Sequence, residues 1–259
     1  ETSTNPNAGW NGFTTVSDFY NSFGAVTPMV GVTNYATDKS GRYADTAVDS
    51  RVGGRYYPGI TNASGQRPGF MIGQQYNEAG VALKDRKTPA NLLQFDPSIA
   101  ADMKETGNNL EITGIRVEKY GPDFTNGSAF YQNNAGNDEV IFRYSDVVLM
   151  VAEAKLRAAT PDAAGALALV NALRVARKAA PLPSMTLVNT ANLYDTKTVL
   201  AERGRELYWE KVRRTDLIRF GMFNKIWLYK PTDDPKYLVY PVPSQALAAN
   251  PNLTQNPGY

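Results

Sequence analysis

Three glutamates, Glu202, Glu206 and Glu210, recur at four-residue spacing in one charged stretch, so on a helix they share a face. A pair of carboxylates flanking a scissile bond can hydrolyse a glycoside, one as acid and the other as base or nucleophile. The same stretch carries Arg203, Arg205, Arg213 and Arg214. Acid–base chemistry needs carboxylates facing each other across a substrate, which one helix face rarely supplies. Interleaved Arg and Glu instead suit a partly buried ion network that holds loops and tail to the helices.

A second group of residues suits recognition. Trp10, Tyr35, Tyr43, Tyr56, Tyr57, Phe70 and Tyr76 lie in Gly- and Asn-rich segments, with Asn11, Asn34, Asp38, Arg42 and Arg55 beside them. A sugar ring offers an apolar C–H face, which a flat aromatic covers, and a hydroxyl rim, which Asn, Asp or Arg can bond. The candidate ligand-binding set is Trp10, Asn11, Tyr35, Tyr43, Arg55, Tyr56 and Tyr76, led by Trp10. The alternative for each ring is that it pins its loop to the scaffold. Trp209 and Trp227 read as core or interface residues. Asp38-Lys39-Ser40-Gly41 lacks the acids of a calcium loop and reads as a turn, so no metal and no cofactor are expected.

Composition removes several chemistries. The 259 residues contain no Cys and no His. Thiol nucleophiles, disulfides, His-based triads and Cys/His zinc sites are excluded. The 27 basic and 25 acidic residues leave a net charge of only +2, with no long basic run, which argues against nucleic acid as a partner. No apolar run of membrane-spanning length is present. The first residues, Glu1-Thr2-Ser3, lack an initiator Met and read like the interior of a larger protein.

The elements that must position these residues differ along the chain. Seventeen of the 21 glycines precede residue 140, where turn signals recur every few residues. Residues 1–138 are expected to form a loop-rich, ligand-facing region, with a short helix over 16–23 and a short strand over 112–120. Residues 139–259 are expected to form a helical scaffold and an extended tail, in one structural unit with the first part. Over 141–158, Tyr144, Val147, Val148, Val151 and Ala154 have the spacing of a helix face. Thr160-Pro161-Asp162 reads as the capped start of a second helix, reaching about residue 178. The short link makes the two helices an antiparallel pair. Asp195 is expected to cap a further helix over 196–210. Six prolines after residue 230 should keep the tail extended over the helices.

These stretches resemble a known family. Glu202-Arg203-Gly204-Arg205-Glu206-Leu207-Tyr208-Trp209-Glu210 resembles the ERxxELxxE signature of the SusD/RagB family, and Arg213, Asp216, Leu217, Arg219 and Gly221 match the stretch that follows it. Residues 143–154 look like the family's RyAEvlLmyAEA, Asn171-Ala172-Leu173-Arg174 like vNxvR, Asp49-Ser50-Arg51 like DxR and Lys119-Tyr120 like KY. Tyr240-Pro241-Val242-Pro243 and residues 250–259 are similar to its closing YPIP…NPxLxQNPGY. Lys211 stands where the family has Gly, and Arg214 and Phe220 where it has Trp. The chain resembles the C-terminal half of such proteins, from about residue 10 to the end. The resemblance implies a mainly α fold of tetratricopeptide-like helical pairs, with a large loop-rich region and an extended C-terminal tail. It implies a non-catalytic surface protein of the bacterial outer membrane, held by an N-terminal lipid anchor that this chain does not include. The implied partners are a glycan and a SusC-like TonB-dependent transporter, to which the glycan is delivered. Alternatives are a transporter-interaction module without sugar binding, peptide binding, or a carboxylate glycoside hydrolase.

Overall fold

The computed structural model describes residues 14–23, 49–53, 68–77, 79–86, 88–95, 114–121, 138–193, 195–226, 230 and 233–259. Among them are six α-helices: α1 (Ser17–Asn21), α2 (Tyr144–Arg157), α3 (Ala163–Ala176), α4 (Val199–Leu207), α5 (Arg213–Arg219) and α6 (Ser244–Ala249). Five short strands accompany them: β1 (Thr14–Thr15), β2 (Gly69–Met71), β3 (Gly73–Gln74), β4 (Gln94–Phe95) and β5 (Ile115–Glu118). The architecture is mixed. Strands gather in the first part, and all the helices but α1 follow residue 143.

α2 and α3 are the expected pair, each 14 residues long. The boundary between them differs in detail. Asp162, not Thr160, caps α3: its carboxylate accepts from the Gly165 amide at 2.7 Å. A charged acceptor satisfies an orphan amide and also faces the positive end of the helix dipole. Thr198, not Asp195, caps α4, its hydroxyl accepting from Ala201 N at 3.1 Å. Leu149 and Ala152 of α2, Ala166 and Val170 of α3, Val199, Leu200 and Leu207 of α4, and Leu217 of α5 form one core.

The face of α2 is a correction to the sequence reading. Tyr144, Val147 and Val151 do share one side, but they are 83%, 46% and 43% exposed. The buried arc consists of Ser145, Asp146, Leu149, Ala152 and Glu153. Asp146 and Glu153 turn inward because arginines wait there: Arg203 donates to Asp146 at 2.8 Å, and Arg219 donates to Glu153 at 2.9 Å.

A second core belongs to the first part. Tyr20, Phe23, Val52, Phe70, Ile72 and Ile115 pack with Tyr208, the residue just after α4. Phe70 stacks on Tyr208 with centroids 5.4 Å apart. Above this cluster lies an antiparallel sheet in the order β1-β5-β2, with Thr14 opposite Arg116 and Phe70 opposite Val117. Gly53 and Gly69 let two backbones cross. Their φ values are 69° and 98°, and a methyl group on Gly69 would lie 2.0 Å from Val52 O.

The tail holds a single 3₁₀ turn (Pro235–Leu238) and α6, which the proline count did not anticipate. Pro243 occupies the N-cap of α6, a position that requires no amide donor. The tail is tied down by side chains. Gln255 bonds both the amide and the carbonyl of Val242 at 2.7 and 3.0 Å, and Arg214 donates to Tyr237 O while lying 4.3 Å from the Tyr240 ring centroid.

Candidate functional site

All nine residues of α4 are buried, although four of them are charged. Burying charge is costly unless every charge is paired and hydrogen-bonded, and here the pairing is extensive. Glu202 accepts from Arg51 and Arg174 at 2.8 Å each, and from Arg205 Nε at 3.0 Å. Glu206 accepts from Arg143 at 2.5 Å, Arg177 at 2.7 Å and Arg51 at 3.1 Å. Glu210 accepts from Arg143 Nε at 2.8 Å and from Lys119. The neighbouring Arg203 points the other way, into the helices, and bridges Asp146 of α2 and Asp216 of α5 at 2.8 Å each. Successive residues on a helix diverge by about 100°, so the Glu-Arg dipeptide serves two sides of α4 at once.

The loop-rich part reaches this network through its two short motifs. Asp49 caps its own turn, accepting from Arg51 N at 3.0 Å, and grips the Arg51 guanidinium at 2.6 Å. Arg51 then spans Glu202 and Glu206, while its carbonyl accepts from the Tyr208 hydroxyl at 2.8 Å. Lys119 donates to Glu206 O at 2.6 Å and Tyr208 O at 3.0 Å, with its ammonium 4.2 Å from the Tyr208 ring centroid. Arg51 therefore grips α4 from its first turn to Tyr208, and Lys119 grips its C-terminal end.

The electrostatics follow. Burial alone would raise the Glu202 carboxyl, but Arg205, Arg51 and Arg174 overrule it and hold it at about 2. Glu206 is also held at about 2: burial raises it, and hydrogen bonds from Arg177 and Arg143 bring it down. Glu210 is lowered as well, burial being outweighed by Arg143 and Lys119. Burial pulls the Lys119 ammonium down to about 8 despite Glu210. A glycosidase acid needs the opposite displacement, upward toward neutrality. These three carboxylates are anions at neutral pH, each committed to cations.

Of the candidate ligand-binding set, Trp10, Asn11, Tyr35, Tyr43, Arg55 and Tyr56 lie outside the described residues, as does Trp227. Tyr76 is only 5% exposed, in a segment that bridges back to Ala82, so its ring offers no open stacking face. Phe70 is interior too. Trp209 is not a core residue of the described fold: it is 46% exposed, with φ 63°. Next but one, Lys211 has φ 65°. That left-handed backbone is the physical reason for a glycine at this position of the family pattern, and the Lys in its place was the one legible sign of an unusual turn. Among the described residues, no helix is long and apolar enough to cross a membrane, and no group of three or more acidic side chains could hold a metal ion.

Comparison with known proteins gives the family. A family model described as the SusD family matches residues 1–233, and the chain belongs to that family. The starch-binding protein SusD of Bacteroides thetaiotaomicron is 35% identical over 131 residues, covering 47% of this chain and 22% of that protein. A SusD superfamily protein from Parabacteroides distasonis, known from a crystal structure, is similar over 79% of this chain and 40% of its own, with 18% identity and a TM-score of 0.45. The chain thus spans well under half the length of either relative.

Proposed function

We propose that the chain is the glycan-presenting part of a non-catalytic, surface-exposed binding protein of the bacterial outer membrane. It would be lipid-anchored in its full form and would deliver oligosaccharide to a SusC-like TonB-dependent transporter. Family membership, with a starch-binding relative, carries this reading. The α4 network supports it, because its carboxylates serve as anchors for Arg51 and Lys119. In this proposal residues 1–138 form the ligand-facing region and residues 139–259 the scaffold, with α2 and α3 as a tetratricopeptide-like pair. Rigid attachment of loops at both motifs would lower the entropy cost of arranging stacking rings. Trp10, Asn11, Tyr35, Tyr43, Arg55 and Tyr56 remain the proposed contacts.

Affinity electrophoresis against a panel of polysaccharides tests the reading. Retardation by at least one glycan is expected, and Trp10→Ala should weaken it while leaving the circular dichroism spectrum unchanged. Failure to bind any glycan would favour a module that contacts only the transporter. Sustained release of reducing sugar would show catalysis and defeat the proposal.

A further inference from the structure

The buried side chain of Tyr208 holds two segments of the loop-rich part at once, each by a different group. The first segment is the turn Ser50–Val52, capped by Asp49. Its Ser50 amide donates to Arg177 O at the end of α3, at 2.7 Å, and its Arg51 carbonyl accepts from the Tyr208 hydroxyl at 2.8 Å. The second segment is β2, whose Phe70 ring stacks on the Tyr208 ring.

These two segments are the feet of one loop. Gly53 and Gly69 pair in an antiparallel bridge, and a methyl group on Gly53 would lie 2.1 Å from Pro68 O. The chain therefore leaves and returns through a single pinched base, with residues 54–67 between its ends. Arg55 and Tyr56, two of the proposed glycan contacts, follow Gly53 by two and three residues.

We propose that Tyr208 is a positioning residue for glycan binding, fixing the base of the loop that carries Arg55 and Tyr56. The proposal rests on the glycan-binding reading and adds to it a residue that touches no ligand itself. Bringing the ends of such a loop together costs chain entropy. Where folding already fixes both feet, that cost does not fall on the binding step. The hydroxyl is the group specific to this task. The ring also serves the core, where Phe19 and Phe23 meet it edge-on and the Lys119 ammonium lies over it. Removing the hydroxyl alone thus frees the entering foot and leaves the core packed.

Tyr208→Phe makes that single cut. Retardation in gels holding graded amounts of soluble starch, or of whichever panel polysaccharide retards the parent most, gives an affinity for each variant. Tyr208→Phe should weaken it by about three- to tenfold, the size of one lost hydrogen bond. Its thermal melt should fall by only a few degrees. A residue that acts through Tyr56 should lose its effect once that ring is gone. Tyr208→Phe added to Tyr56→Ala should therefore cost little more than Tyr56→Ala alone, whereas added to Trp10→Ala it should cost its full factor. A general loosening of the fold would instead weaken both backgrounds equally. Unchanged affinity in Tyr208→Phe, or a loss as large in the Tyr56→Ala background as in the parent, would overturn the proposal and leave glycan binding standing. A parent that binds no glycan of the panel would defeat the reading and the proposal together.

Discussion

Helices α2 and α4 invert the usual expectation. α4 is rich in charge and wholly buried, whereas the more apolar side of α2 faces out. Apolar periodicity locates a helix, but it does not say which side meets the core when arginines and carboxylates compete for the interior. In α4 the interior is set by pairing. Glu202 and Glu206 meet Arg51 of the loop-rich part together with Arg174 and Arg177 at the end of α3, and Arg203 meets Asp146 of α2 and Asp216 of α5. In α2 the inward side is chosen by Asp146 and Glu153, because each has an arginine to meet.

That contrast can be broken most severely at Glu202. Glu202→Gln keeps the shape but strands Arg51, Arg174 and Arg205 around a neutral group, and should cost about 3–5 kcal/mol in urea unfolding. The matched change on α2, Val147→Gln, should cost under about 0.5 kcal/mol, as surface substitutions do. Gly69→Ala comes next. It meets both a left-handed backbone and the Val52 carbonyl, and should destabilise by more than about 2 kcal/mol.

Acid should act through the carboxylates of α4. Glu202 and Glu206 have folded values near 2, below the ordinary 4.5. The stability they contribute is fully present above about pH 4.5 and is lost as pH falls toward 2. The urea midpoint should drop through that window, and less steeply in a Glu206→Gln variant. Lys119 gives a slope of the same sign at higher pH. Its folded value of about 8 lies below the ordinary 10.5, so its contribution rises between those pH values as the unfolded chain holds the extra proton. One substitution should be a gain. Lys211→Gly should relieve the positive φ and stabilise by about 1 kcal/mol, losing only an exposed pair with Glu139.

Much of this was legible in advance. The helix pair, the strand near Ile115 and the structural use of the Glu202 series came from spacing and charge alone. The motifs Asp49-Ser50-Arg51 and Lys119-Tyr120 could be matched to a family pattern, but their role as bolts on α4 depends on contacts across roughly ninety to 150 residues, which local pattern does not encode. The caps were misplaced by two or three residues because several hydroxyls and carboxylates offered equivalent local chemistry. The burial of Tyr76 was not legible, because a ring in a Gly-rich segment reads the same whether the segment faces out or folds over its own ring.

The most direct measurement is native-state amide exchange on Arg51→Met. If the buried network clamps the loop-rich part to α4, Phe70, Met71 and residues 115–118 should lose protection strongly, while the α2–α3 pair keeps most of its own. Equal loss in both parts, or none in the β2–β5 strands, would show that Arg51 does not hold the two together.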